Sequence, residues 1–144
     1  MADFEVLIVG GGIAGCEAAW ALARAGVRCL VVTTSLDTVY ALYGDRARLA
    51  PPAGSLMEAA MQALGGSESE GAAGDGEQGS GAPGEAVTVG AWALHRQVKA
   101  LLEAEPSLHL LQSSVSGLIV REGRTVGVTT WEGVDRMADS VALC

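Results

Sequence analysis

One lysine, Lys99, and eight scattered arginines carry all the basic charge of this 144-residue chain, and they form no run. The formal net charge is −8. A nucleic-acid surface must neutralise phosphates with Lys and Arg, so direct nucleic-acid binding is not expected of this acidic chain alone. Cysteine is equally sparse. Cys16, Cys29 and Cys144 show neither metal-ligand nor redox spacing, and a reducing cytoplasm is the simple reading. His95 and His109 stand isolated and are assigned to neither metal nor acid–base work. No apolar stretch approaches the length of a membrane span. The N-terminus carries Asp3 and Glu5 and enters a strand pattern directly, unlike a signal peptide.

What is present begins at Val6. Val6 to Val9 is a short apolar run with β-branched residues, suited to a buried strand. Gly10, Gly12 and Gly15 follow in a G-x-G-x-x-G pattern, and a helix opens behind them. Its expected inner face is Ala14, Ala18, Ala21, Leu22 and Ala25, at three- and four-residue spacing. Gly26 stops the helix, and Cys29 to Val32 reads as the second buried strand. Each glycine has its own reason. Gly10 makes the tight turn, Gly12 lets backbone approach a pyrophosphate, and Gly15 lets helix and strand pack closely. The helix start then offers free N–H groups and partial positive charge to the phosphates. The motif stands between a predicted strand and a predicted helix, which is the context that gives it meaning.

The residue that reads the ribose is normally an acid at the end of the second strand. Here Thr33 and Thr34 occupy that place, followed by Ser35, Leu36 and Asp37. Their hydroxyls would hold a ribose more weakly than a carboxylate. Arg28 lies at the wrong end of the strand to take an NADP phosphate. The residues therefore specify a dinucleotide and leave FAD and NAD open.

Gly-Gly-Gly-Ile-Ala-Gly-Cys-Glu-Ala-Ala (10–19), with Leu-Asp-Thr at 36–38, resembles the FAD-binding domain of the GidA/MnmG flavoproteins, and most closely the short bacterial GidA-related proteins. The resemblance resumes at Trp92–Glu103, Leu108–Gln112, Val115 and Gly127–Thr130, and ends at Val141–Leu143. It implies FAD as cofactor and oxidoreductase chemistry linked to modification of the tRNA wobble uridine. It implies cofactor contacts at Gly10, Gly11, Gly12, Ile13, Ala14 and Gly15, at Thr33 and Thr34, and from the Val115 backbone to the adenine. Two departures bear on chemistry. The histidine usual inside the family's glycine loop is Ile13 here, and the Ser-Cys-Asn-Pro segment is replaced by Leu42-Tyr43-Gly44-Asp45-Arg46. No catalytic residue is assigned. A nicotinamide-dependent reductase domain and a non-catalytic nucleotide-binding module are the competing readings, and a homo-oligomer stays open.

The expected fold class is α/β: a Rossmann-like FAD/NAD(P)-binding fold with a parallel sheet and a three-stranded antiparallel meander. Residues 1–144 read as one domain, incomplete because the chain ends at Cys144 ahead of the turn that contacts flavin in the family. Residues 65–86 contain eight glycines, five acids, no basic residue and no large apolar side chain. Such a stretch cannot bury enough surface to offset its chain entropy, so a flexible insertion is expected there. Its five acids supply most of the net charge of −8, leaving −3 for the remainder. Ser55 should cap a helix over Leu56 to Leu64, and Gly90 to Glu103 should form another, with Ala91, Leu94, Val98, Leu101 and Leu102 inward. Leu108 to Gln112 reads as a third buried strand. Val115 to Arg121, Thr125 to Thr130 and Val134 to Ala138 alternate like antiparallel strands joined at Glu122-Gly123 and Glu132-Gly133, with Ser140 to Cys144 a fourth parallel strand. Tyr40, Tyr43, Asp45 and Arg46 fall in a loop where a cofactor edge could pass. Cys16 reads as a packing residue, Glu17 as a modest electrostatic aid to the helix start, and Trp92 and Trp131 as border residues.

Overall fold

A computed structural model describes residues 2–65 and 86–144. In chain order the elements are β1 (Phe4–Val9), α1 (Ile13–Arg24), β2 (Cys29–Thr33), a short helical turn (Leu36–Thr38), β3 (Arg46–Leu49), α2 (Leu56–Gly65), β4 (Val87–Gly90), α3 (Ala91–Ala104), β5 (Leu108–Gln112), β6 (Val115–Arg121), β7 (Arg124–Thr130) and β8 (Asp135–Leu143). Six strands form one sheet in the order β5-β2-β1-β8-β7-β6. β5, β2, β1 and β8 run parallel, while β6, β7 and the start of β8 form the antiparallel meander. The α/β class with its meander is the one expected. The insertion expected at 65–86 lies outside the described residues, apart from Gly65 at the end of α2 and Ala86 ahead of β4.

β2 is buried at all five positions, as a strand covered on both faces must be. One core joins Ile8 and Val31 to Cys16, Ala19 and Trp20 of α1, to Leu56 and Ala60 of α2, and to Leu94, Val98 and Leu102 of α3. Leu7, Leu30 and Val32 face the other way, onto Val128 and Ala138. The inner face of α1 differs from the expected one. Gly15, Cys16, Ala19, Trp20 and Ala23 are buried, whereas Ala14, Ala21 and Ala25 are exposed. The helix is rotated by one residue, about 100°. Alanine all round it gives spacing no preference between the two faces, and burying Trp20 decides the matter. Gly26 (φ 82°) does end the helix. The Val27 N–H returns to Leu22 O and the Gly26 N–H to Ala23 O, the double closure of a Schellman turn.

Ser55 caps α2 as expected: its Oγ accepts from the Glu58 N–H at 3.0 Å, and Glu58 reaches back to the Gly54 N–H at 2.7 Å. Two further expectations are corrected. The third meander strand and the fourth parallel strand are a single strand, β8, which pairs with β7 up to Met137 and with β1 from Ala138 onward. Arg46, expected in a loop, instead begins β3, which pairs antiparallel with β4 from Arg46↔Gly90 to Leu49↔Val87. Four-residue strands carry too short an alternation to be recognised, and the partner lies far along the chain. Among the described residues, no helix is long and apolar enough to cross a membrane.

Candidate functional site

The carboxyl ends of β1, β2 and β5 converge where the chain leaves β1, the usual place for a ligand crevice in an open α/β sheet. A cleft of about 260 Å³ opens there, lined by Val9 to Gly12, Val32 to Thr34, Thr38, Ser113 and Val115. Of the residues expected at the site, Gly10, Gly11, Gly12, Thr33, Thr34 and Val115 meet in this cleft. Ile13 and Ala14 stand exposed on the first turn of α1 and Gly15 is buried beneath it, so none of these three lines the wall.

The glycines divide by role. Gly10 has φ 119°, and a Cβ there would overlap the carbonyl of Cys144. A Cβ on Gly15 would overlap the carbonyl oxygen of Gly10. A Cβ on Gly11 would lie 2.7 Å from Thr33 Oγ1. Gly12 alone of the motif faces open space, with nothing within 4 Å of its would-be Cβ. It is also the N-cap of α1 and offers no side-chain hydrogen bond, so the helix start is left uncapped beside the cleft.

Thr33 and Thr34 part company. Thr33 is buried, and its hydroxyl donates to Ser35 O at 3.4 Å. Thr34 is exposed at the cleft wall. Ser113 and Thr38 complete the wall, and neither was singled out from the sequence as a site residue. Thr38 closes the Leu-Asp-Thr signature and could have been found from it. Ser113 follows β5 with no local mark. Its hydroxyl donates to Glu132 at 2.7 Å and holds that carboxyl below its usual value.

A second concavity of about 330 Å³ shares the Leu36–Thr38 turn and is lined by Asp37, Leu42, Gly44, Asp45, Trp92 and His95, among others. Asp45 therefore lies at a cavity, but Tyr40 is buried, Tyr43 is fully exposed and Arg46 starts β3. His95 is a core histidine. Its Nδ1 lies 2.6 Å from Val39 O, which makes that nitrogen the donor, and its ring stacks on Trp92 at 4.9 Å. Among the described residues, no group of three or more His, Cys, Asp or Glu could hold a metal ion.

Cys16 is fully buried, and its thiol donates to Gly11 O at 3.3 Å. Burial pushes its pKa up to about 12, overriding any help from the helix start. Burial raises Cys29 as well. At pH 8 a thiol reagent is therefore expected to modify the exposed Cys144 rapidly in the native protein, and all three cysteines after denaturation. Rapid native labelling of Cys16, read by peptide mass, would contradict the packing role.

The family model "Glucose inhibited division protein A" matches residues 5–144. The tRNA uridine 5-carboxymethylaminomethyl modification enzyme MnmG of Chlamydia caviae is 33% identical over 149 aligned positions, covering 98% of this chain and 24% of the relative. MnmG of Lactiplantibacillus plantarum is 37% identical, with 98% and 23% covered. Among solved structures, the GidA-related protein of Thermus thermophilus superposes with a TM-score of 0.74 at 35% identity, over 99% of this chain and 53% of that one. Aquifex aeolicus GidA gives 0.65 at 27%, over 97% and 24%. The chain thus spans about a quarter of the length of the curated relatives it matches.

Proposed function

Because the chain belongs to the glucose inhibited division protein A family, we propose that its glycine cleft holds the ADP half of FAD. The observation that carries this reading is the uncapped start of α1 behind Gly12, a backbone position with no Cβ and nothing in front of it. Free helix N–H groups and the dipole suit a pyrophosphate there. Thr34, exposed at the end of β2, offers its hydroxyl to the adenosine ribose. Thr33 instead shapes the loop, since its hydroxyl is already used and its side chain abuts Gly11. The Val115 backbone closes the adenine side.

Bound FAD would supply hydride chemistry through its isoalloxazine ring, while this chain's residues bind and orient it. The C. caviae and L. plantarum relatives are named for tRNA uridine modification. We extend that reaction to this chain as the process its FAD-binding unit, residues 1–144, would serve.

A nicotinamide reductase domain would use the same loop, so the test must separate the two. Isothermal titration of the purified chain with FAD, ADP and NAD should show FAD binding that ADP competes, with NAD binding no tighter than ADP because the two share that half. With a hydroxyl in place of the acid at the end of β2, the affinity should be weak. NAD binding clearly tighter than ADP, with FAD no tighter than ADP, would favour the nicotinamide reading, and silence with all three would remove the cleft from consideration.

A further inference from the structure

We propose that Glu17 and Tyr40 are positioning residues for the phosphate site, locking the Gly11–Gly12 peptide so that the Gly12 N–H faces the ligand. This rests on the cleft binding a phosphate-bearing nucleotide. Tyr40 is a non-glycine residue held at φ 55° and wholly buried. Bulky side chains seldom adopt that conformation, and it persists only where the surroundings over-determine it. Here two contacts do so. The Tyr40 hydroxyl donates to the Glu17 carboxylate, and the Tyr40 N–H donates to the Gly11 carbonyl at 2.8 Å.

Glu17 is itself fixed from a third direction. Its two oxygens also accept the Leu56 N–H at 2.9 Å and the Met57 N–H at 3.0 Å, so a carboxylate from α1 caps the start of α2. Burial and the Glu17 bond push the Tyr40 hydroxyl above its ordinary pKa, which keeps it a donor. The Gly11 carbonyl receives a second donor, the Cys16 thiol, and so is held twice.

The consequence follows from peptide geometry. The chain has no cis peptide among the described residues, so each C=O opposes the N–H of the same amide. With the Gly11 carbonyl turned inward, the N–H of Gly12 must point the other way. Gly12 lines the cleft, and its N–H finds no acceptor among the described residues. A flipped peptide would present a carbonyl oxygen to the phosphate instead, replacing attraction with repulsion. The Glu17–Tyr40 pair thereby sets the sign of the potential at the cleft floor.

The experiment compares parent, Tyr40→Phe and Cys16→Ala chains by titration with ADP and with adenosine, alongside the ¹⁵N amide resonance of Gly12. Tyr40→Phe keeps the main-chain N–H bond to the Gly11 carbonyl but removes the hydroxyl bond to Glu17 that helps hold residue 40 at its positive φ. ADP should weaken about tenfold, comparable to one hydrogen bond to a charged group, and adenosine should be unchanged. The Gly12 resonance should shift in the unliganded variant. Equal losses for ADP and adenosine, or no loss, would overturn the proposal, because a merely structural role does not single out phosphate. Should Tyr40→Phe fail to fold, Cys16→Ala removes the other donor to the same carbonyl and leaves the cap on α2 intact. If the parent binds no ADP, the nucleotide reading fails by itself, and an unmoved Gly12 resonance in the variants would then also sink the positioning role.

Discussion

A Gly12→Val chain should fold like its parent and lose FAD and ADP binding by at least about 100-fold, or ~2.7 kcal/mol. Both halves of that expectation come from the backbone. Gly12 sits at φ −73°, ψ −175°, an extended conformation open to valine. Its Cβ meets nothing within 4 Å, so no neighbour resists the branched side chain. The only structural penalty is a poorer helix N-cap, about 1 kcal/mol. The isopropyl group would instead fill the space in front of the uncapped α1 amides, where a pyrophosphate would have to lie. Circular dichroism with titration calorimetry separates fold from binding. A well-folded variant with parental affinity would show that the ligand does not approach Gly12.

Gly15→Ala should do the reverse and damage the fold itself. Helix propensity alone favours alanine over glycine by about 1 kcal/mol. Against it, the new Cβ would overlap the Gly10 carbonyl oxygen and lie 3.1 Å from the Gly10 carbonyl carbon and 3.4 Å from Ile8 Cγ2. Backbone cannot rotate aside as a flexible side chain can. Gly10 is further tied to Val32 O by its own N–H at 2.9 Å. Overpacking of this kind typically costs about 1–3 kcal/mol and occasionally more; here a loss of about 3 kcal/mol is expected, out of a total of roughly 5–15. Urea denaturation decides which effect wins. A midpoint equal to or above the parent's would mean that α1 can slide away from the Gly10 turn.

The two variants mark what a sequence can and cannot convey here. The strand–glycine–helix–strand unit was legible because each part has a local cause: a short apolar run, a glycine turn, a helix stopped at Gly26. The meander turns were legible for the same reason, and Glu122 (φ 51°), Gly123 (φ 75°) and Gly133 (φ 78°) adopt the conformations such turns need. The burial of α1 was not, since an alanine-rich helix has apolar residues on every side. Glu17 was read as a small influence on its own helix, yet its partners lie 23, 39 and 40 residues away. Local pattern cannot disclose a carboxylate whose work is done on another helix. Thr33 and Thr34 look interchangeable in the sequence. The strand pleat, which turns successive side chains to opposite faces, separates them by exposure, Thr33 buried and Thr34 exposed, although both line the cleft.

The β3–β4 ribbon carries a consequence for the chain's tolerance of change. Leu49 and Val87 are cross-strand neighbours, so everything between them departs from and returns to almost one point on the molecule. α2 is the part of that excursion that inserts Leu56, Ala60 and Leu64 into the core. A change of length past Gly65 is therefore expected to leave the geometry of the cleft unchanged. Doubling the length of a connection adds only ~0.6 kcal/mol of closure entropy. The ribbon would thus act as a clasp, and a reporter grafted behind it is expected to leave the shape of the glycine cleft unchanged.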